Sequence, residues 1–137
     1  MGSPSTGSTP SATVGRGSAL DRVVPRRQLF ERLCLQDPEL SAVSVRVEAD
    51  RYSTAVVEIV IEGVVEEFDP PEVEAVVQQS SDGNNWTSKS DPLVMNKVGA
   101  YSLALTGPIE ARFIRLACSL NPGAIVVITA VLHLSRS

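Results

Sequence analysis

Few residues in this chain carry the chemistry of catalysis. His133 is the sole histidine, and Cys34 and Cys118 are the two cysteines. A serine nucleophile needs an exposed, strained turn beside a histidine, and no G-x-S-x-G sequence is present to build one. Transition metals need thiols or imidazoles at short spacing, and neither C-x-x-C nor H-x-x-x-H occurs. Gly15-Arg16-Gly17 is a fragment of a glycine-rich loop inside sequence with no packing pattern, and there is no Walker motif. The expectation is a protein that is not an enzyme and takes no cofactor and no metal. Hard oxygen ligands do gather at Asp82, Asn84 and Asn85, a donor type that suits calcium. The same residues are the ones a tight turn demands, since Asp-Gly and Asn tolerate positive φ. With Trp86 they form the candidate ligand-binding loop. His133 reads as a rim or interface histidine.

The elements that would position these residues are strands. Val43, Val45 and Val47 alternate with Ser44, Arg46 and Glu48, which predicts a strand with its valines on the core side. Val57, Ile59 and Ile61 follow on one face, with Glu58 and Glu62 opposite beside Val56 and Val60. Gly63 ends that strand or bulges it. Asp69-Pro70-Pro71 stops the chain, and Val73, Ala75 and Val77 start the next run. Tyr101, Leu103 and Leu105 alternate again. Ile114, Leu116 and Cys118 share a face opposite Arg115 and Ser119. Asn121-Pro122-Gly123 turns the chain into a last strand, Ala124 to Leu134. Short strands between frequent turn signals predict an all-β fold, an antiparallel β-sandwich. Gln28 to Leu35 reads as a first strand or a short helix, broken by Asp37-Pro38.

The chain has 137 residues, 43% hydrophobic and 20% charged, an ordinary mix for one domain. Aromatics are 4%, so aliphatic side chains must fill the core. Residues 1–19 are Gly, Ser, Thr, Pro and Ala with one arginine, a composition expected to form a disordered arm. Residues 20–38 form a basic lead-in with Arg22, Arg26, Arg27 and Arg32, and 39–137 the sandwich domain. No secretory signal or spanning segment is expected, so the cysteines predict two buried thiols in a reducing compartment, cytoplasmic or particle-associated. A net charge of −4 argues against nucleic acid as a partner, and no membrane contact is expected. From Glu58 to Glu74 every charge is acidic, which suggests an arginine-bearing arm lying on the acidic belt of a neighbouring subunit.

The last strand is the most informative feature. Ala124, Val126, Ile128, Ala130, Leu132 and Leu134 form one face, and Ile125, Val127 and Val131 lie on the other with Thr129 and His133. A sandwich strand with one wet face alternates with polar residues, and this one does not. Its outer face therefore needs a cover, from within the chain or from another subunit. The expected interface residues are Ile125, Val127, Val131 and His133, with Arg22, Arg26 and Arg27.

Two motifs carry a resemblance. Ser80-Ser81-Asp82-Gly83-Asn84-Asn85-Trp86 follows an alternating strand, and Ala111-Arg112-Phe113-Ile114-Arg115-Leu116 comes after a variable loop. In this order they resemble the S-x-D-G-x-x-W turn and late A-R-[FY]-[IL]-R-[IL] strand of discoidin-like (coagulation factor type C) jelly-roll domains. The stretch, Val73 to Leu116, is about a third of the chain. The resemblance implies a jelly-roll sandwich with Trp86 closing one edge of the core and Arg112 and Arg115 bracing loops at the rim. The ligand spikes and terminal cysteines of that family have no counterpart here. The motifs are also similar to small β-sandwich subunits of bacteriophage particles. The function expected is a non-enzymatic structural subunit, an accessory or decoration protein of a phage-like particle that forms a homo-oligomer or larger assembly. The alternative is a discoidin-type carbohydrate-binding module holding a glycan at the loops Asp82–Trp86 and Ser88–Met95.

Overall fold

The computed structural model describes residues 26–66 and 70–136. Among them the period of two becomes ten strands. These are β1 (Arg26–Leu35), β2 (Ser41–Val43), β3 (Val47–Glu48), β4 (Thr54–Glu66) and β5 (Val73–Ser80). They continue as β6 (Thr87–Ser88), β7 (Leu93–Met95), β8 (Gly99–Ala104), β9 (Phe113–Leu120) and β10 (Ala124–Ser135). One sheet has the order β1-β10-β4-β8; the other has β2-β9-β5-β6, with β3 added on β9 and β7 on β5. All pairings are antiparallel. The chain passes between the sheets at six of the nine connections between these strands, a jelly-roll-like path through an antiparallel β-sandwich. The arm 1–19 and Arg22 lie outside the described residues.

Both sheets contribute to one core. Val57, Ile59 and Ile61 of β4 and Ile128, Leu132 and Leu134 of β10 meet Val73, Ala75 and Val77 of β5 and Ile114, Leu116 and Leu120 of β9. Burying each of the larger side chains contributes about 1.5–3 kcal/mol. β10 sits between β1 and β4, and burial alternates without exception along its twelve residues. It begins where Gly123, at φ 89, lets the Asn121-Pro122-Gly123 turn close. β4 carries a bulge: Val127 pairs Gly63 while Ile128 pairs Ile61, so Glu62 is the extra residue. The bulge turns Val64 toward the core and leaves Val65 outside, 55% exposed.

Three readings change. Gln28–Leu35 is strand, paired along β10, so the sandwich starts inside the basic lead-in. Val43 and Val45 face solvent at 52% and 65% exposure, while Ser44 and Val47 are buried. The cause is Ser44: its N–H donates to the Leu116 carbonyl and its hydroxyl accepts from the Leu116 N–H. A side chain thus replaces one rung of the ladder and splits the expected strand into β2 and β3. Finally, Cys34 is exposed, and Cys118 alone is a buried thiol.

Burial pushes the Cys118 thiol up to about 12, so it holds little thiolate at neutral pH. A thiol reagent added at pH 8 to dilute native protein should titrate one cysteine, Cys34, and a second after unfolding in guanidinium. Two fast-reacting thiols in the native state would contradict this packing.

Candidate functional site

The Ser80–Trp86 turn is built around Asp82. Its Oδ1 accepts from the Ser80 hydroxyl at 2.9 Å and from the backbone N–H groups of Asn84 and Asn85 at 2.8 and 2.9 Å. Its Oδ2 accepts from the Asn85 side-chain amide at 2.7 Å. The backbone N–H groups of Asn85 and Asn84, then the Asn85 and Ser80 side chains, hold the carboxyl well below the usual range. Gly83 adopts φ 81, and its N–H donates to Ser80 Oγ at 2.8 Å. A side chain there would meet the Arg46 guanidinium. Asp82 is thus spent on the turn. No group of three or more metal-ligating side chains forms among the described residues.

Trp86 is half-buried and does not join the core. The Arg115 guanidinium lies over its ring at 4.1 Å, and Arg115 Nε donates to Gln78 Oε1 at 2.7 Å. The indole therefore packs on the outer face of the second sheet instead of closing the core edge. Beside it, Phe113 is flanked by Arg46 at 4.5 Å and Arg112 at 5.0 Å. Arg112 reaches Glu48 at 3.7 Å. Next to the turn a polar furrow of about 310 Å3 is lined by Gln79, Ser80, Asp82, Asn85, Thr87 and Glu110 among others. Gln79 Oε1 is buried with no hydrogen-bond partner. The buried Lys89 pairs with Glu110 at 2.8 Å, which holds the Glu110 carboxyl down.

The second surface is the outer face of the first sheet. Ile125, Val127, Val131 and His133 of β10 are half-buried, and the face continues onto β4 with Val56, Val60 and Val65 at 40%, 36% and 55% exposure. Ala100 and Ala104 of β8 pair with Val60 and Val56, and Cys34 of β1 pairs with Val127. Its polar groups bond mostly to one another: Thr129 donates to Glu62, and His133 Nε2 lies 3.2 Å from Glu58 Oε1. Arg26 sits opposite His133 at the end of this face, and Arg27 is exposed beside it. Glu58 and Glu62 of the acidic run are thus engaged within the chain.

The structure brings Ile125, Val127, Val131, His133 and Arg26 onto one face. It places Asp82, Asn84, Asn85 and Trp86 in one turn across the molecule. Sequence reasoning did not find the ring–guanidinium cluster of Arg46, Phe113, Arg115 and Trp86. Its one visible signal was the alternation of Phe113 and Arg115 on the outward side of β9.

No family model matches the chain, and no curated protein is similar to it in sequence. Among solved structures it is similar to PirA, at 14% identity and a TM-score of 0.45, over 79% of this chain and 92% of that one. It is also similar to the carbohydrate-binding module CBM36 in complex with calcium and xylotriose, at 5% identity and a TM-score of 0.47, over 79% of this chain and 98% of that one. Likenesses this distant carry no argument about ligand or partner.

Folding lowers the Asp82 pKa below its ordinary 3.8. The ionised carboxylate therefore stabilises the protein above that value and stops doing so as pH falls through the lower folded one. Asp82→Ala should have a lower urea midpoint than the parent at pH 7. The gap should hold down to roughly pH 4 and shrink below it. A gap that stays constant from about pH 4 to pH 2 contradicts the role given to Asp82.

Proposed function

We propose that this protein is a non-enzymatic assembly subunit that self-associates through the outer face of its β1-β10-β4-β8 sheet. The observation that carries the reading is the apolar share of that face: Ile125 lies opposite Val65, and Val127, Val131, Val56 and Val60 alternate with the mutually bonded polar groups. Its polar groups Thr129, Glu62, His133 and Glu58 bond to one another, so covering them leaves few unsatisfied donors. The size fits. Strands rising about 3.3 Å per residue and spaced about 4.8 Å apart give a face on the order of 600 Å2. A standard interface buries roughly 800 Å2 per partner. A second copy offers the same face, so a two-fold contact is self-complementary. A small sandwich with such a face suits an accessory or decoration subunit of a phage-like particle.

Val127→Glu and Val131→Glu each place a charge in this face, and an unpaired buried charge costs enough to separate a modest oligomer. Light scattering should show the parent as an oligomer and both variants as folded monomers by circular dichroism. Ile128→Glu, on the core side, should not fold. A parent that is monomeric up to high micromolar concentration would overturn the proposal, as would variants of unchanged mass.

A further inference from the structure

The opposite face of the sandwich presents a different chemistry. Along β9 the outward residues are Phe113, Arg115, Ala117 and Ser119, about 7 Å apart. Phe113, itself buried, lies under Arg46 and Arg112, and Arg115 stacks on Trp86. Two residues on, Ala117 pairs with Val76 on one side and Val43 on the other, flooring an open groove of about 400 Å3. Ser41, Ser119 and Glu74 also line it.

Arg46 and Arg115 have no carboxylate partner among the described residues, whereas Arg112 has Glu48. Each is nonetheless held in place. Arg46 is wedged between Phe113 and the Gly83 backbone, and Arg115 between Trp86 and Gln78. Stacking occupies a guanidinium face and leaves its N–H edge for a planar anion such as a carboxylate, phosphate or sulfate. The two side chains have lost much of their rotamer freedom already, so an incoming anion orders little more. The chain carries net charge −4, and on this face Glu48 is held by Arg112 while Glu74 lines the groove.

We propose that this face binds an acidic glycan. Arg115 and Arg46 take its carboxylate or sulfate groups, and the groove over Val43, Val76 and Ala117 takes the apolar faces of its sugar rings. The ring hydroxyls meet Ser41, Ser119 and Glu74. A nucleic acid fits less well. The groove floor of Val43, Val76 and Ala117 offers no aromatic platform on which bases stack. This site is independent of self-association, which uses the other sheet.

Trp86 is the sole tryptophan and touches Arg115, so its emission reports on the site. The probes are trigalacturonic acid, a heparin-derived tetrasaccharide, a neutral xylo-oligosaccharide and a short single-stranded DNA. Titration of the full chain should show a saturable emission change with at least one acidic glycan and none with the neutral one. Calorimetry should show Arg115→Gln and Arg46→Gln binding roughly 10- to 100-fold more weakly, with circular dichroism unchanged. Arg115→Lys, which keeps the charge and loses the fork, should recover part of the affinity. Val131→Glu should bind like the parent. No binding by either acidic glycan at millimolar concentration, equal binding of the neutral sugar or of DNA, or full affinity in both arginine-to-glutamine variants would each overturn the proposal.

Discussion

β10 is paired along both edges, with β1 on one side and β4 on the other, and nearly every other feature of the first sheet is referred to it. Its twelve residues contain no glycine or proline and alternate strictly between core and outer face. The inner face must be filled from the opposite sheet, and Val77, Leu116 and Leu120 are among the residues that fill it. The outer face is half apolar, with Ile125, Val127 and Val131 beside Thr129, His133 and Ser135. A central strand with Ile125, Val127 and Val131 on its outer side leaves hydrophobic surface to be covered, and the bulge at Glu62 and Gly63 puts Val65 in place of Val64 on that surface.

The two outer faces differ in chemistry. On the first sheet charges and hydroxyls bond to each other, Glu58 to His133 and Glu62 to Thr129, which leaves valines as the exposed currency of contact. On the second sheet the charges of Arg46 and Arg115 are bound to rings instead of carboxylates. A face with satisfied polar groups suits contact with another apolar face, and one with unsatisfied fixed guanidiniums suits an anion. The two proposed roles do not compete for residues.

Much of the fold was legible because period two is a direct record of the pleat. Val57, Ile59 and Ile61, Val73, Ala75 and Val77, and the even face of β10 are all buried as their alternation predicts. The reading failed where a side chain took over a backbone role. Ser44 substitutes for a ladder rung on Leu116, so Val43 and Val45 face outward although their alternation is perfect. Trp86 looked like a core residue because large aromatics usually are. Its environment is set by Arg115, twenty-nine positions later, and only the β5–β9 register brings the two together. The same pairing hides the Arg46 stack, which depends on a glycine in a turn and a phenylalanine on another strand.

The proposed self-association through the β10 face has a built-in reporter. Cys34 is exposed and pairs with Val127 in the middle of that face, while Cys118 is buried and silent. The decisive measurement is the rate at which Cys34 reacts with a thiol reagent as protein concentration rises. If copies meet through this face, the rate should fall as the oligomer forms and return to its dilute value in Val131→Glu. A rate independent of concentration, across a range in which the measured mass rises, would mean that the copies meet elsewhere and that the β10 face is not the interface.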